Sequence, residues 1–185
     1  MLRVAITGGI ACGKSLVTGY LREAGLEVID ADDIVHELVP ENERRRLAAK
    51  VFADPSARKD LEAKLHPLVK SRIERFFRES KADVAVAVVP LLFEVRWDGE
   101  YDIICCVVSL EEEQIKRMIE NRGYTREEAL GRIAAQLPVS EKAAGSHYVI
   151  TNDSTAEELR RQTEAFARWL ADAAAERKRG SFKEK

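Results

Sequence analysis

A glycine-rich loop close to the N-terminus constrains the fold of this chain more than any other stretch. Residues 8–15 read Gly-Gly-Ile-Ala-Cys-Gly-Lys-Ser, which matches the phosphate-binding pattern of Gly, four residues, Gly, Lys and Ser. An apolar run rich in β-branched residues precedes it at 2–7, and apolar residues at helical spacing follow it up to Gly25. The loop therefore has the context that it requires, between a buried strand and a helix, and it predicts binding of a nucleoside triphosphate.

The residue types in this loop each have a chemical reason. Glycines let the backbone wrap a polyphosphate, with N–H groups and a helix N-terminus directed at the negative charge. We expect the ammonium of Lys14 to reach the β- and γ-phosphates and the hydroxyl of Ser15 to ligate Mg²⁺. The predicted nucleotide-binding residues of the loop are Gly8, Gly9, Ile10, Ala11, Cys12, Gly13, Lys14, Ser15 and Leu16.

Two loop residues are unusual. Ala11 stands where many such loops have glycine, so we expect its φ angle to be negative. Cys12 is either a reactive thiol, because helix N-termini lower thiol pKa values, or a small neutral spacer.

Length and composition are typical of a soluble globular protein. The chain has 185 residues, 45% hydrophobic and 34% charged, with a formal net charge of −2. This suits one α/β domain with a subsidiary lobe and excludes general affinity for nucleic acids or acidic membranes. The longest apolar stretch, residues 84–93, is too short to span a bilayer, which takes about 20 residues. With no leader expected and three cysteines expected to be reduced, we predict a cytoplasmic protein, monomeric with an oligomer left open.

Strands that alternate with helices predict an α/β fold with a five-stranded parallel sheet and helices on both faces. The strands are expected at residues 2–7, 26–29, 84–89, 101–108 and 148–151. Residues 40–80 are charged, helical and free of glycine, with a break expected at 54–56 and a kink or restart of the helix at His66-Pro67. We therefore predict a nucleotide-binding core at 1–39 and 81–185, a helical substrate lobe at 40–80 and a lid at 117–137.

Acids follow two of the predicted strands. Asp30, Asp32 and Asp33 come directly after the second strand, where they suit either a site at the sheet edge or a helix N-cap, and both roles can hold together. No Asp follows the strand at 84–89, so the Walker B acid is missing there. Glu94 is the nearest carboxylate, either as a replacement or as an ordinary acid in a first helical turn.

The C-terminal third contains a candidate lid. Capping boxes at 109–112 and 125–128 each predict a helix start. Arg117 and Arg122 precede a glycine and indicate a mobile arginine lid, with surface ion pairs to nearby glutamates as the alternative. A last helix from about residue 155 is expected to bury Leu159, Phe166, Trp169 and Leu170, followed by a disordered tail at 176–185.

The order of the motifs resembles the dephospho-coenzyme A kinase family over nearly the whole chain. The matching runs are Thr-Gly-Gly-Ile at 7–10, Gly-Lys-Ser at 13–15, Val-Ile-Asp-Ala-Asp at 28–32, Val-Phe-Ala-Asp-Pro at 51–55, Leu-His-Pro-Leu at 65–68, Val-Pro-Leu-Leu-Phe-Glu at 89–94, Gln-x-x-Arg at 114–117, Arg-Gly-Tyr-Thr-Arg-Glu-Glu at 122–128 and Tyr-Val-Ile at 148–150. The resemblance implies a P-loop fold and phosphorylation of the ribose 3′-hydroxyl of dephospho-CoA by ATP with Mg²⁺, the last step of coenzyme A biosynthesis.

The resemblance also implies roles for individual residues. It makes Asp32 the general base, with Lys14 and Arg117 as the other catalytic residues and Arg117 on the transferring phosphate. It adds Arg122 and Asn152 to the nucleotide-binding residues. The substrate-binding residues that it implies are Thr7, Asp30, Asp32, His66, Leu91 and Glu94.

The chain departs from the family pattern at several positions. Residues 39–51 are shorter than the family norm, which affects the substrate lobe. His147 stands near the expected adenine pocket, where a surface or base-stacking role is expected. Two alternative functions remain: another P-loop kinase of a nucleotide, sugar acid or shikimate, and an ATP-binding regulatory module without transfer activity.

Overall fold

A computed structural model of the chain describes residues 1–39 and 55–180. Five strands form one sheet in the order β2-β3-β1-β4-β5. The strands are β1 (Leu2–Gly8), β2 (Glu27–Asp30), β3 (Val84–Val88), β4 (Ile103–Val108) and β5 (Tyr148–Thr151). Strand β1 is parallel to β3 and to β4, and β4 is parallel to β5. The predicted α/β fold with a parallel sheet is confirmed.

Burial explains why β1 is central. Every residue of β1 except Arg3 is buried, and all five residues of β3 are buried. Leu2, Val4 and Ile6 point into the main core, where they pack with apolar residues of two helices, α1 (Lys14–Glu23) and α7 (Ala156–Lys178). This packing fixes the carboxyl end of β1, from which the phosphate loop starts.

Five further helices complete the described chain. They are α2 (Ala31–Leu38), α3 (Pro55–Glu79), α4 (Glu111–Arg122), α5 (Arg126–Ala134) and α6 (Val139–Ala144), with a 3₁₀ turn at Asp98–Glu100. Helix α5 begins with the predicted capping box, in which Thr125 and Glu128 exchange side-chain and backbone hydrogen bonds.

Two predicted details of helix starts, a restart at Pro67 and a capping box at residues 109–112, are wrong. Helix α3 does not restart at Pro67, which lies inside one continuous helix. Proline removes one backbone donor, but Ala63, whose carbonyl would accept that bond, is exposed, so water can replace it. The capping box at 109–112 is also absent. The N-cap residue is Leu110, whose side chain makes no capping bond, and the Ser109 hydroxyl bonds to residues 152 and 153 instead.

The last helix differs from prediction at one aromatic residue. Leu159, Phe166 and Leu170 are buried as expected, but Trp169 is 38% exposed. Its ring stacks on Phe166 at a centroid distance of 6.0 Å, so it covers the edge of the core rather than filling it. The helix extends through Lys178, and residues 181–185 of the predicted tail lie outside the described residues.

The chain divides into two compact units, residues 1–28 with 81–185 and residues 29–80. In the second unit, α2 packs against α3, and Ile34, Val69, Ile73 and Phe77 are among its buried apolar residues. Within residues 1–39 and 55–180, every helix is too short or too polar to cross a membrane.

Candidate active site

The phosphate loop has a backbone that only small residues permit. Gly8 has φ +141°, and a Cβ on it would lie 2.2 Å from the carbonyl oxygen of Val107 on β4. Gly13 has φ +95°, and a Cβ there would lie 2.1 Å from the side-chain nitrogen of Asn152. The loop is thus in close contact with β4 at Gly8 and with the Asn152 side chain at Gly13. These contacts fix the direction of its N–H groups.

Ala11 contradicts the expectation of a negative φ. Its φ is +56°, in the left-handed region where a side chain costs about 1 kcal/mol. Its side chain packs beside a cluster formed by Ile115, Met118 and Ala129 of α4 and α5. The loop therefore keeps the conformation that glycine would favour, and the methyl group gains contacts with α4 and α5.

Lys14 and Ser15 lie at the start of α1. The ammonium of Lys14 donates to the carbonyl oxygens of Gly8 and Gly9, at 3.1 and 2.8 Å, so it crosses the loop. Ser15 is exposed at the helix N-terminus, and so is Leu16, at 49%. A hydroxyl in this position is a hard oxygen donor of the kind that Mg²⁺ prefers.

Two buried amides support the loop from below. Asn152, which is 6% exposed, donates from its side chain to the carbonyl oxygen of Cys12 at 2.9 Å. Gln114 is 3% exposed, and its Oε1 lies close to Gly9. Both side chains are directed at the protein, so contact of Asn152 with the nucleotide stays a prediction.

Arg117 is docked on the phosphate loop. Its guanidinium donates to the carbonyl oxygen of Ala11 at 3.2 Å, to Ser109 Oγ at 3.1 Å and to the carbonyl oxygen of Asn152 at 2.8 Å. The alternative ion pair with Glu113 is longer, at 3.8 Å. The arginine thus lies beside the loop and holds positive charge there, with its side chain 24% exposed.

The predicted lid, residues 117–137, contacts the loop at its C-terminal end, whereas Arg122 within it is exposed. Arg122 is exposed where α4 ends at Gly123, a residue with φ +68°. At the far end of the lid, the Oε1 atom of Gln136 accepts a hydrogen bond from the N–H of Ile10 at 3.1 Å. Sequence patterns gave no sign of this bond, because the two residues are 126 positions apart.

Glu94 is paired with a lysine that sequence reasoning missed. Its Oε1 lies 2.7 Å from the Nζ of Lys142 and accepts the N–H of Leu137 at 3.0 Å. The Lys142 side chain is fully buried and also donates to the carbonyl oxygen of Pro90 at 2.9 Å. Thr7 donates to the same oxygen at 3.3 Å, and the neighbouring Leu91 is half-buried.

The cysteines favour the spacer interpretation of Cys12. Its side chain is fully buried, and burial raises the pKa of the thiol despite the opposing charges of Lys14 and Arg117. Burial likewise raises the pKa of Cys106 to about 12 and holds the pKa of Cys105 well above its usual value. A helix N-terminus is therefore not enough to make Cys12 a reactive thiol here.

The second unit holds the predicted acids. Asp30 is the N-cap of α2, and its carboxylate accepts the N–H of Asp32 at 2.8 Å. Asp32 and Asp33 are exposed in the first helical turn. One acid is thus used for capping and the others are available to a ligand, as the sequence allowed. His66 is half-buried on α3.

Comparison with known proteins identifies the family. A family model described as dephospho-CoA kinase matches residues 2–44 and 40–158. The chain belongs to the dephospho-CoA kinase family. Its relatives with that name include proteins from Thermosynechococcus vestitus, 35% identical over 89% of this chain and 92% of the relative, and Symbiobacterium thermophilum, 39% identical over 88% and 78%.

Solved structures of other proteins share the fold of this chain. A crystal structure from Thermus thermophilus is 33% identical, with a TM-score of 0.77 over 91% of this chain and 97% of the other. A dephospho-CoA kinase from Campylobacter jejuni (23%, TM-score 0.69, over 92% and 97%) and a shikimate kinase from Bacteroides thetaiotaomicron (15%, 0.59, over 92% and 98%) share the fold.

Two departures from the dephospho-CoA kinase family pattern can now be located. The two pieces of the family match meet at residues 40–44, within the shortened segment, and residues 40–54 lie outside the described part of the chain. His147 lies at the start of β5, where its Nδ1 accepts the N–H of Ile104 at 3.0 Å. That bond lies near the amino end of β4, and His147 is exposed, as expected for a surface role. Its predicted place near an adenine pocket stays a prediction.

Proposed function

We propose that this protein transfers the γ-phosphate of ATP to the ribose 3′-hydroxyl of dephospho-CoA, which gives coenzyme A and ADP. The observation that carries the proposal is the docking of Arg117 on a phosphate loop that already holds Lys14, in a chain of the dephospho-CoA kinase family. Two cations beside one anion-binding loop suit a reaction in which charge spreads over the transferring phosphate.

The nucleotide is proposed to bind through the loop. The N–H groups of Gly13, Lys14 and Ser15 at the start of α1 face the phosphates, and Lys14 exchanges its bonds with the carbonyl oxygens of the loop for bonds with the β- and γ-phosphates. Arg117 moves little, because its bond to Ala11 already places it at the loop. Exposed Arg122 contributes further positive charge when the lid closes.

Mg²⁺ fits the exposed hydroxyl of Ser15. It is a hard oxygen ligand at a helix N-terminus, and Mg²⁺ in kinases binds few protein ligands together with substrate phosphates. When bound, the ion neutralises charge on the phosphate oxygens. We propose Ser15 as its protein ligand.

Asp32 is proposed as the proton acceptor for the 3′-hydroxyl. Its carboxylate is exposed, and the cap of α2 is the carboxylate of Asp30. Protonation of Asp32 would therefore leave the capping bond of the helix in place. Asp30, Thr7, His66, Leu91 and Glu94 stay predicted substrate contacts. We further propose a cytoplasmic monomer, with residues 40–80 as the substrate lobe and 117–137 as the lid, to be checked by fractionation, light scattering and limited proteolysis with and without an ATP analogue.

The test is ADP release with Mg-ATP, measured with and without dephospho-CoA and followed by mass spectrometry of the acceptor. The panel includes shikimate, gluconate and nucleoside monophosphates, which represent other P-loop kinases. We expect acceptor-dependent ADP and one added phosphate with dephospho-CoA alone. Transfer to another acceptor would contradict the proposal, and ATP binding without any transfer would favour a regulatory module.

A further inference from the structure

The segment between the predicted lid and β5 bonds both to the phosphate loop and to the residues that follow β3. We call residues 136–142 the return segment. Gln136 accepts the N–H of Ile10 in the loop at 3.1 Å, and the N–H of Leu137 donates to Glu94 at 3.0 Å. Lys142 ends the segment with its contacts to Glu94 and to the carbonyl of Pro90. Three of its residues therefore connect the phosphate loop with Pro90 and Glu94, which follow β3.

Lys142 is the unusual member of this segment. Its side chain is fully buried, and Glu94, its partner, is 22% exposed. Lysines are rarely buried, because removal of an ammonium from water costs several kcal/mol unless pairing offsets it. A buried ion pair is often no more stabilising than apolar residues of the same volume. Stability alone thus gives no reason for a lysine at this position.

Geometry supplies a reason. The carbonyl oxygen of Pro90 accepts both Lys142 Nζ and the hydroxyl of Thr7, the residue that directly precedes the phosphate loop. The same ammonium holds the carboxylate of Glu94. One buried cation therefore fixes the end of β1, the carbonyl group of Pro90 after β3 and the Glu94 carboxylate relative to each other.

We propose that Lys142 is a positioning residue for phosphoryl transfer. It acts through Glu94 and Pro90, and it holds these two residues in a fixed position relative to Thr7 just before the phosphate loop. The proposal rests on the proposed function for its kinetic effect, and on the contacts above for its structural effect. Its ammonium has no access to solvent, so it acts through these partners and not by contact with a ligand.

The test compares Lys142→Met, Glu94→Gln and the double variant with wild type. Lys142→Met leaves the Glu94 carboxylate without its cation, so we expect a lower Tm and a loss of about 100-fold in kcat/KM for the acceptor, the size that misplacement by about 1 Å produces. The dissociation constant of a non-hydrolysable ATP analogue should change by less than about threefold, because the loop and Lys14 remain. In the double variant no charge is left unpaired, so we expect Tm to recover. Its kcat/KM should stay below that of Glu94→Gln alone, because the carbonyl of Pro90 still lacks its cation and the single variant measures any direct contact of Glu94 with the acceptor.

Lys178→Met is the matched control. It removes a lysine–carboxylate contact of similar length, 2.6 Å to Asp83, from an exposed place at the amino end of the strands. We expect wild-type kinetics. Recovery of kcat/KM together with Tm in the double variant, or an active Lys142→Met, would overturn the proposal and leave Lys142 a structural residue. If Lys142→Met does not fold, the double variant carries the test.

Hydrogen exchange separates this proposal from the proposed function. In the Lys142 variants we expect the amide of Leu137 to exchange at least about tenfold faster, with no change at Ile104 near the amino end of β4. This readout needs no acceptor. Unchanged exchange at Leu137 overturns the positioning role even if wild type transfers to no acceptor, and wild-type turnover with dephospho-CoA is scored on its own.

Discussion

The two compact units of the chain hold their candidate functional groups in opposite ways. In the first unit, the cations and amides around the phosphate loop are bonded to the protein: Lys14 to loop carbonyls, Arg117 to Ala11 and Lys142 to Glu94. In the second unit, Asp32 and Asp33 are exposed.

This difference has a physical basis. Groups that stabilise charge in a transition state act best when they are oriented in advance, because the reaction then includes no reorganisation of the site. A carboxylate that accepts a proton needs only to be ionised and in reach. The cations of the first unit are thus oriented by bonds within the protein, and we call this unit the prepared side.

The largest expected effect comes from the prepared side. Arg117→Met should lower kcat by about 10³-fold, the usual value of an arginine on a transferring phosphate. Lys116→Met, an exposed neighbour on the same helix, is the control and should leave kcat unchanged. Steady-state assays with dephospho-CoA measure both. A drop confined to Tm, with normal kcat, would mean that Arg117 only fastens α4 to the loop.

The acid of the second unit should matter for chemistry and not for ATP. Asp32→Asn should lower kcat by at least about 10²-fold, since the amide cannot accept the hydroxyl proton. The affinity for an ATP analogue should be unchanged by calorimetry. Asp33→Asn, in the same exposed helical turn, is the matched control. Near-normal turnover of Asp32→Asn would assign the base to another group.

The buried thiol of Cys106 should make the stability of the first unit depend on pH. Burial raises the pKa of Cys106 to about 12, so the folded state keeps this thiol neutral at a pH where the unfolded chain ionises. Stability from this group is therefore lost as pH rises above about 9, by about 1 kcal/mol per pH unit. Urea unfolding at pH 8 and pH 10 should show the loss, and Cys106→Ala should reduce it. An identical loss in Cys106→Ala would assign it to other groups.

The smallest effect concerns the loop backbone. Ala11→Gly should raise the free energy of unfolding by about 0.5 kcal/mol, because relief at φ +56° exceeds the lost methyl contacts. Ala165→Gly, inside α7, should lower it by about 1 kcal/mol. Denaturant titration measures both. A loss of stability in Ala11→Gly would show that packing on the lid outweighs the strain.

Local signals account for what the sequence predicted well. The phosphate loop, the strands and the capping box at Thr125 all depend on residues within a few positions of each other. The misses depend on distant contacts. Ser109 looks like a helix cap, but its hydroxyl lies within hydrogen-bond distance of the Asn152 carbonyl and the Asp153 carboxylate, more than 40 residues away. Lys142 lies in a short polar helix and has the pattern of a surface residue, and only the fold buries it against Pro90.

The position of the transferred phosphate tests the central claim most directly. Product from wild-type enzyme, Mg-ATP and dephospho-CoA is purified, and phosphorus NMR identifies the carbon that bears the new phosphate monoester. We predict the ribose 3′ position alone. A phosphate on another hydroxyl of the acceptor, or ADP release that leaves the acceptor unmodified, would contradict the proposed reaction.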